Sequence, residues 1–185
     1  CLWMKPRIAQ GVLKYLAARQ ATEEDAVKAA QPGKIMHETR GGEMALLGEI
    51  PFRLYYGSVD STPLFVMLAG AYLRRTGDLE LIRILWGNIE AALDWMERYG
   101  DVDGDGFLEY IPDENGLVNQ GWKDSHDCIF HKDGRFPEGA IALCEVQGYF
   151  YAAKKEAALM ARRLGKANLA HRLLTEAELL REKFD

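Results

Sequence analysis

An all-α fold is what this 185-residue sequence predicts, on three observations. Apolar residues recur at three- and four-residue spacings along most of the chain, the period of a helix with one buried face. Helix-boundary residues stand where those patterns begin and end. The only alternating stretches, near Phe107 to Ile111 and Leu54 to Tyr56, are short and sit beside turns, which argues against a sheet.

The first helix follows Pro6, well suited to a first helical position, and carries Ile8, Val12 and Leu16 as its core stripe up to about Gln20. The second opens at Thr62, an N-cap ahead of Pro63, runs through Leu64, Met67, Leu68 and Ala71, and stops at Gly77. A third begins near Asp78, lines up Ile82, Leu85, Ile89, Leu93 and Met96 on one face, and ends with Gly100 as its C-cap. Leu143, Val146, Phe150, Ala153, Ala157, Met160 and Leu164 form a fourth ahead of Gly165, and Leu169, Leu173, Leu180 and Phe184 mark the last. The stretches from Thr22 to Asp60 and from Asp101 to Glu138 are far longer than bundle loops of about two to eight residues, so stacked antiparallel hairpins with functional loops are expected. Lys14, Lys28 and Lys34 read as ordinary surface positions.

Composition narrows the function. With 48% hydrophobic and 28% charged residues, the chain can bury one sizeable core. A net charge of -5 offers no basic stripe, which excludes nucleic acid as the expected partner. No apolar run approaches the about 18 residues of a membrane span, so no membrane partner is expected. Cys1, Cys128 and Cys144 form an odd set without C-x-x-C spacing, which predicts free thiols and a reducing, cytoplasmic location. The chain opens on Cys1-Leu2-Trp3 rather than on methionine, and is expected to be a piece of a longer protein.

The chemistry concentrates in Asn119-Gln120-Gly121-Trp122-Lys123-Asp124-Ser125. An indole can stack on a sugar's C–H face while a carboxyl group two residues on protonates a departing oxygen. The same residues also fit a surface loop whose Trp packs inward and whose Asp starts a turn. As a proton donor, Asp124 needs its pKa raised above the ordinary value of about 3.9, by desolvation or by a second carboxylate such as Asp127.

Three further stretches offer polar and aromatic groups. Tyr55-Tyr56-Gly57-Ser58-Val59-Asp60 presents rings for stacking and a carboxylate for sugar hydroxyls, or else core aromatics and a helix cap. His37, Glu38 and Arg40 either line the same mouth or form an internal ion pair after Pro32-Gly33. Asp101, Asp103 and Asp105, a carbonyl at Phe107 and Glu109 reproduce the start of a calcium loop, with Gly106 at its sixth position. Pro112 occupies the place of the closing Glu, so this is no complete EF-hand, and a solvated turn fits as well. Oxygen-only donors favour calcium over zinc. His126, Cys128 and His131 match no zinc spacing.

Taken in order, His37-Glu38-Thr39-Arg40-Gly41-Gly42-Glu43, the Tyr55 to Phe65 segment, Asp101 to Tyr110, the Trp-Lys-Asp stretch and Cys144-Glu145-Val146-Gln147-Gly148-Tyr149 resemble the bacterial amylo-alpha-1,6-glucosidase, or glycogen-debranching, glycoside hydrolases. The resemblance runs from about Arg7 to Gly165. It implies an (α/α)6 toroid of six helical hairpins, of which this single segment supplies about five helices. It also implies inverting hydrolysis of α-glucosidic bonds in glycogen or α-glucan. Asp124 then matches the general acid and Trp122 an aromatic sugar contact, with Gln120, Lys123 and Ser125 as polar neighbours. Tyr56, Asp60, His37, Glu38 and Arg40 would line the substrate.

The general base is expected beyond Asp185, since Glu138, Glu145 and Glu38 are the only local alternatives, so the isolated chain is expected to be inactive. An incomplete ring would leave an apolar flank to be covered by the rest of its own domain or by another copy. Trehalase, glucosidase and mannosylglycerate hydrolase types share this toroid, so the fold does not choose the substrate. A non-catalytic carbohydrate-binding or calcium-stabilised helical assembly module is the alternative.

Overall fold

The computed structural model describes residues 2–113, 116–123, 125 and 127–185. Among these, five long helices carry the fold: α1 (Pro6–Ala17), α3 (Ser61–Thr76), α4 (Leu79–Arg98), α5 (Cys144–Arg163) and α6 (Ala167–Phe184). A one-turn helix, α2 (Glu43–Leu46), and a 3-10 turn at Pro51–Arg53 interrupt the first long connection. The fold is all-α. Single antiparallel bridges at Asp25–Ala30, Glu38–Tyr55 and Tyr110–Ile141 are the β pairing among the described residues, and two of them fall on the short alternating stretches. Among the described residues no helix is long and apolar enough to cross a membrane.

Two tight turns make the hairpins. Gly77 takes the left-handed conformation (φ 72°) and donates its N–H to the Leu73 carbonyl at 2.8 Å, closing α3. Asp78 then caps α4, its carboxylate accepting the Leu81 N–H at 3.0 Å and the Tyr72 hydroxyl at 2.9 Å. These bonds hold the Asp78 carboxyl below its ordinary pKa, the Leu81 amide contributing most. Gly165 (φ 79°) makes the corresponding reversal between α5 and α6.

Helices α3 and α5 are central: α3 packs on α1, α4 and α5, and α5 on α3, α4 and α6. The α4 stripe of Ile82, Leu85, Ile89, Leu93 and Met96 is buried throughout, as its spacing predicts, each side chain contributing about 1.5–3 kcal/mol of hydrophobic stabilisation. On α5 and α6, buried Ala153, Ala157, Ala161, Ala170 and Ala177 suit closely spaced helices. Lys154 of α5, buried among them, donates to Glu176 of α6 at 2.6 Å and Glu97 of α4 at 3.3 Å, joining three helices.

Several sequence expectations require correction. The buried stripe of α1 is Ala9 and Leu13; Ile8 and Val12 lie beside it, 48% and 41% exposed. The helix stops at Ala17, not Gln20, because the Gln20 amide leaves to donate to the carbonyls of Gly33 (2.7 Å) and Asn88 (2.9 Å). Thr62 is no N-cap. It lies inside the first turn, fully buried, accepting the Ile35 N–H at 3.0 Å, while Ser61 donates to the Ile35 carbonyl at 2.8 Å. Gly100 is not the C-cap of α4, a place taken by Tyr99. It is small because a Cβ there would lie 2.9 Å from the Met96 carbonyl oxygen. Phe184 projects outward, 52% exposed.

Helices α3 and α5 come close at Gly70 and Glu156, where an added Cβ on Gly70 would stand 2.6 Å from the Glu156 Cβ. Alanine at an exposed helix position gains up to about 1 kcal/mol over glycine. Overpacking a helix interface costs about 1–3 kcal/mol, and the clash here is with an atom fixed to the backbone. Gly70→Ala is therefore expected to lose about 1–2 kcal/mol in a urea melt; unchanged or increased stability would show that α3 and α5 are not held at this distance.

Candidate functional site

The long connections meet at the end of the fold where α3 and α5 begin and α4 finishes. Buried Gln147 of α5 starts the arrangement: its Oε1 accepts the Leu108 N–H at 2.8 Å and its Nε2 donates to the Leu108 carbonyl at 2.7 Å. One side-chain amide thus replaces a strand partner and fixes the chain between the acidic loop and Tyr110. The Tyr110 hydroxyl donates to Asn119 Oδ1 at 2.7 Å, and Asn119 Nδ2 donates to the Lys123 carbonyl. The Gln120 carbonyl accepts the Val59 N–H at 3.0 Å, and the Leu117 N–H donates to the Tyr55 hydroxyl at 3.1 Å. Segments 55–60, 101–110 and 117–123, distant in sequence, are therefore one hydrogen-bonded assembly.

Within it the candidate residues take different places. Asp124 lies outside the described residues, as do His126 and Cys1. Trp122 is 64% exposed, so its ring is not packed inward, and the Lys123 ammonium stands 5.6 Å from the ring centroid rather than pointing away from its neighbour. Gln120 is buried, its amide donating to the Ile111 carbonyl at 3.1 Å; Ser125 is exposed. Tyr56 presents no face to a ligand: it is 4% exposed, its hydroxyl donating to the Arg19 carbonyl at 2.6 Å. Asp60 accepts from the Ser58 hydroxyl, and Glu38 is paired with Arg40, whose guanidinium lies 4.6 Å from the centre of the Phe52 ring. His37 sits 3.9 Å from the Glu38 carboxylate, yet desolvation outweighs that charge and lowers its pKa. Of the alternative bases, Glu138 is exposed and Glu145 lies in the first turn of α5, accepting from the Cys144 thiol at 3.4 Å. Cys128 and Cys144 are free thiols.

The acidic loop has a more definite geometry. Gly104 (φ 77°) and Gly106 (φ 86°) let the chain fold back, with the Gly106 N–H donating to Asp101 Oδ2 at 3.0 Å and the Asp105 N–H to Asp103 Oδ1 at 3.0 Å. Phe107 donates its N–H to Asp105 Oδ1 at 2.8 Å. Carboxylate oxygens of Asp101, Asp103, Asp105 and Glu109 then lie within 4.8 Å of one another. Oxygens bound to one calcium at about 2.3–2.6 Å can be no more than about 5 Å apart, so the spacing fits that ion. Two atoms in the cluster, Asp101 Oδ1 and Glu109 Oε2, are buried with no hydrogen-bond partner among the described residues. Burial first, then the charges of Asp103 and Asp105, raise the Glu109 pKa.

Glu109 also faces a cavity of about 350 Å³ that the motifs did not reveal, bounded by Gln31, Lys34, Trp95, Tyr99, Tyr110 and Gln120 among others. Lys34 is the largest departure from expectation: Lys14 and Lys28 are exposed, but Lys34 is only 6% exposed and burial brings its pKa down to about 8. Gly33 (φ 89°) explains this, because it packs so closely on α4 that a Cβ would stand 2.8 Å from the Ala91 carbonyl carbon. The signal was present in sequence as a lysine between Gly33 and the apolar pair Ile35-Met36.

No protein-family model matches this sequence, and no curated protein shows significant similarity to it.

Replacing Gln147 by leucine leaves the Leu108 N–H and carbonyl buried without their partner, at about 1–3 kcal/mol for each such group. Gln147→Leu is expected to lower stability by about 2–4 kcal/mol and to speed hydrogen exchange at the Leu108 amide. Unaltered exchange there would mean that the loop is anchored elsewhere.

Proposed function

We propose that the chain is part of an inverting glycoside hydrolase of the amylo-alpha-1,6-glucosidase type, a segment of an (α/α)6 toroid acting on α-glucan or a related α-glucoside. The observation that carries this reading is the joining of the Tyr55 to Asp60 and Asn119 to Lys123 segments, through the Val59 to Gln120 hydrogen bond of 3.0 Å, beside an exposed Trp122. A sugar placed on that indole would lie within two residues of Asp124. In this reading Asp124 donates its proton to the glycosidic oxygen as the C–O bond breaks, and the sugar itself, by displacing water, keeps the acid neutral beforehand. The base that activates water on the opposite face lies beyond this chain, on the remainder of the toroid. Exposed Ile84, Leu179 and Phe184 supply apolar surface for that remainder or for another copy.

Asp101, Asp103, Asp105 and Glu109 would hold a structural calcium, with the Phe107 carbonyl as a further donor. The ion would neutralise the two orphaned oxygens and stiffen the segment leading to Tyr110.

For the complete gene product, Asp124→Asn is expected to reduce hydrolysis of maltooligosaccharides and branched glucan by about 10²- to 10⁴-fold, the usual contribution of a general acid. Unchanged turnover would remove Asp124 from that role. Sugar binding without any hydrolysis by the unaltered protein would instead favour a carbohydrate-binding module.

At a calcium concentration about a hundredfold above its Kd, stabilisation of about 2.7 kcal/mol should raise the melting temperature by about 5–10 °C relative to protein in chelator. Asp103→Asn should abolish most of that difference. Identical melting with calcium and with chelator would dismiss the structural ion.

A further inference from the structure

Four carboxylates converge in the loop after α4, and the described residues supply one ammonium to answer them. Asp101, Asp103, Asp105 and Glu109 bring carboxylate oxygens within 4.8 Å of one another. Glu109 is only 7% exposed, and its Oε2 is buried without a hydrogen-bond partner among the described residues. A carboxylate so placed calls for a cation. Among the described residues, the one cation within ion-pair distance of any of the four is Lys183, in the last turn of α6, whose Nζ stands 3.8 Å from Asp105 Oδ2.

The ammonium is placed by more than that carboxylate. It lies 4.5 Å from the centre of the Phe107 ring, and a Cβ on Gly106 would come within 3.7 Å of it. Asp105 Oδ1 already accepts the Phe107 N–H at 2.8 Å, which leaves Oδ2 as the oxygen that both Lys183 and a metal ion would use. An ion bound through Oδ2 at about 2.4 Å would stand within about 6 Å of the ammonium. At that separation in water, a single and a double positive charge repel enough to weaken binding about tenfold at low salt and about threefold at physiological ionic strength. A cavity of about 340 Å³ bordered by Gly106, Leu180 and Lys183 gives the lysine stem room to move aside.

We infer that Lys183 is an internal counter-ion of the acidic loop, in competition with calcium for Asp105, so that occupation of the loop by the ion loosens its link to the last turn of α6. The inference rests on the structural-calcium reading and adds its regulation. By reciprocity, the hold of Lys183 on the loop lowers calcium affinity by the same factor that calcium weakens that hold.

Calorimetric titration of the complete protein with calcium tests this, using Lys183→Met, which removes the charge but keeps an apolar stem beside Phe107, and Lys14→Met as the control for net charge. Lys14 lies on α1, and its charge acts on Asp78 at the start of the 20-residue α4, about 30 Å from the loop that follows its end. Lys183→Met is expected to bind calcium about threefold to tenfold more tightly, the gain shrinking as sodium chloride is raised, and Lys14→Met to bind as the unaltered protein does. Equal affinity in Lys183→Met, or an equal gain in Lys14→Met, would overturn the inference while leaving the calcium site intact. Weaker binding by Lys183→Met would overturn it as well, by making the lysine a support of the loop. Absence of calcium binding by all three proteins would overturn both the inference and the reading beneath it.

Discussion

A single glutamine amide ties the long connections of this protein to its helices. Gln147 emerges from the first turns of α5 and satisfies both backbone groups of Leu108, which would otherwise be buried without partners. From that point the contacts propagate: the Glu109 N–H reaches the Gly100 carbonyl at 2.6 Å, and Tyr110 pairs with Ile141 and with Asn119. Gln120 then joins the assembly to Val59, just ahead of α3. Long connections with almost no regular structure are thereby ordered by a few side-chain amides and hydroxyls, each bridging to backbone.

The sequence was most legible where one face of a helix is wholly buried and the ends are chemically marked. The α4 stripe, the Asp78 cap and the Gly77 stop all follow from local rules, because nothing tertiary competes with them. It was least legible where a tertiary partner reassigns a residue. Thr62 has the composition of a cap but is recruited by the backbone of Ile35, and Gly100 has the composition of a helix terminator but is required by the nearness of Leu108 and Met96. On α1 Ile8 and Val12 flank the contact while Ala9, Leu13 and the part-buried Leu16 make it, so spacing alone placed two of the three stripe residues wrongly. The acidic loop was recognisable because its donors are close in sequence. Lys34 was not, since its cavity is assembled from five separated stretches of chain.

Charge is distributed unevenly through the interior. The Lys154 network is internally compensated, with Arg172 adding contacts to Glu97 at 3.4 Å and Glu176 at 2.9 Å. Beyond Glu97, at the same C-terminal end of α4, the charges are not balanced in this way: the acidic loop concentrates negative charge and Lys34 an isolated positive one, where the carbonyl end of the helix already disfavours acids. Binding sites tolerate such imbalance because a ligand completes it.

The close approach of α3 and α5 at Gly70 has a consequence for how this sequence can diverge. Glu156 reaches across that glycine to pair with Arg74, and its Oε2 is buried without a hydrogen-bond partner among the described residues. Residues 70, 74 and 156 consequently cannot drift one at a time. Enlarging the first demands shortening the third, and shortening the third strands the arginine. Descendants of this chain should exchange the three as a set or retain them together, leaving a correlated signature in any collection of its relatives.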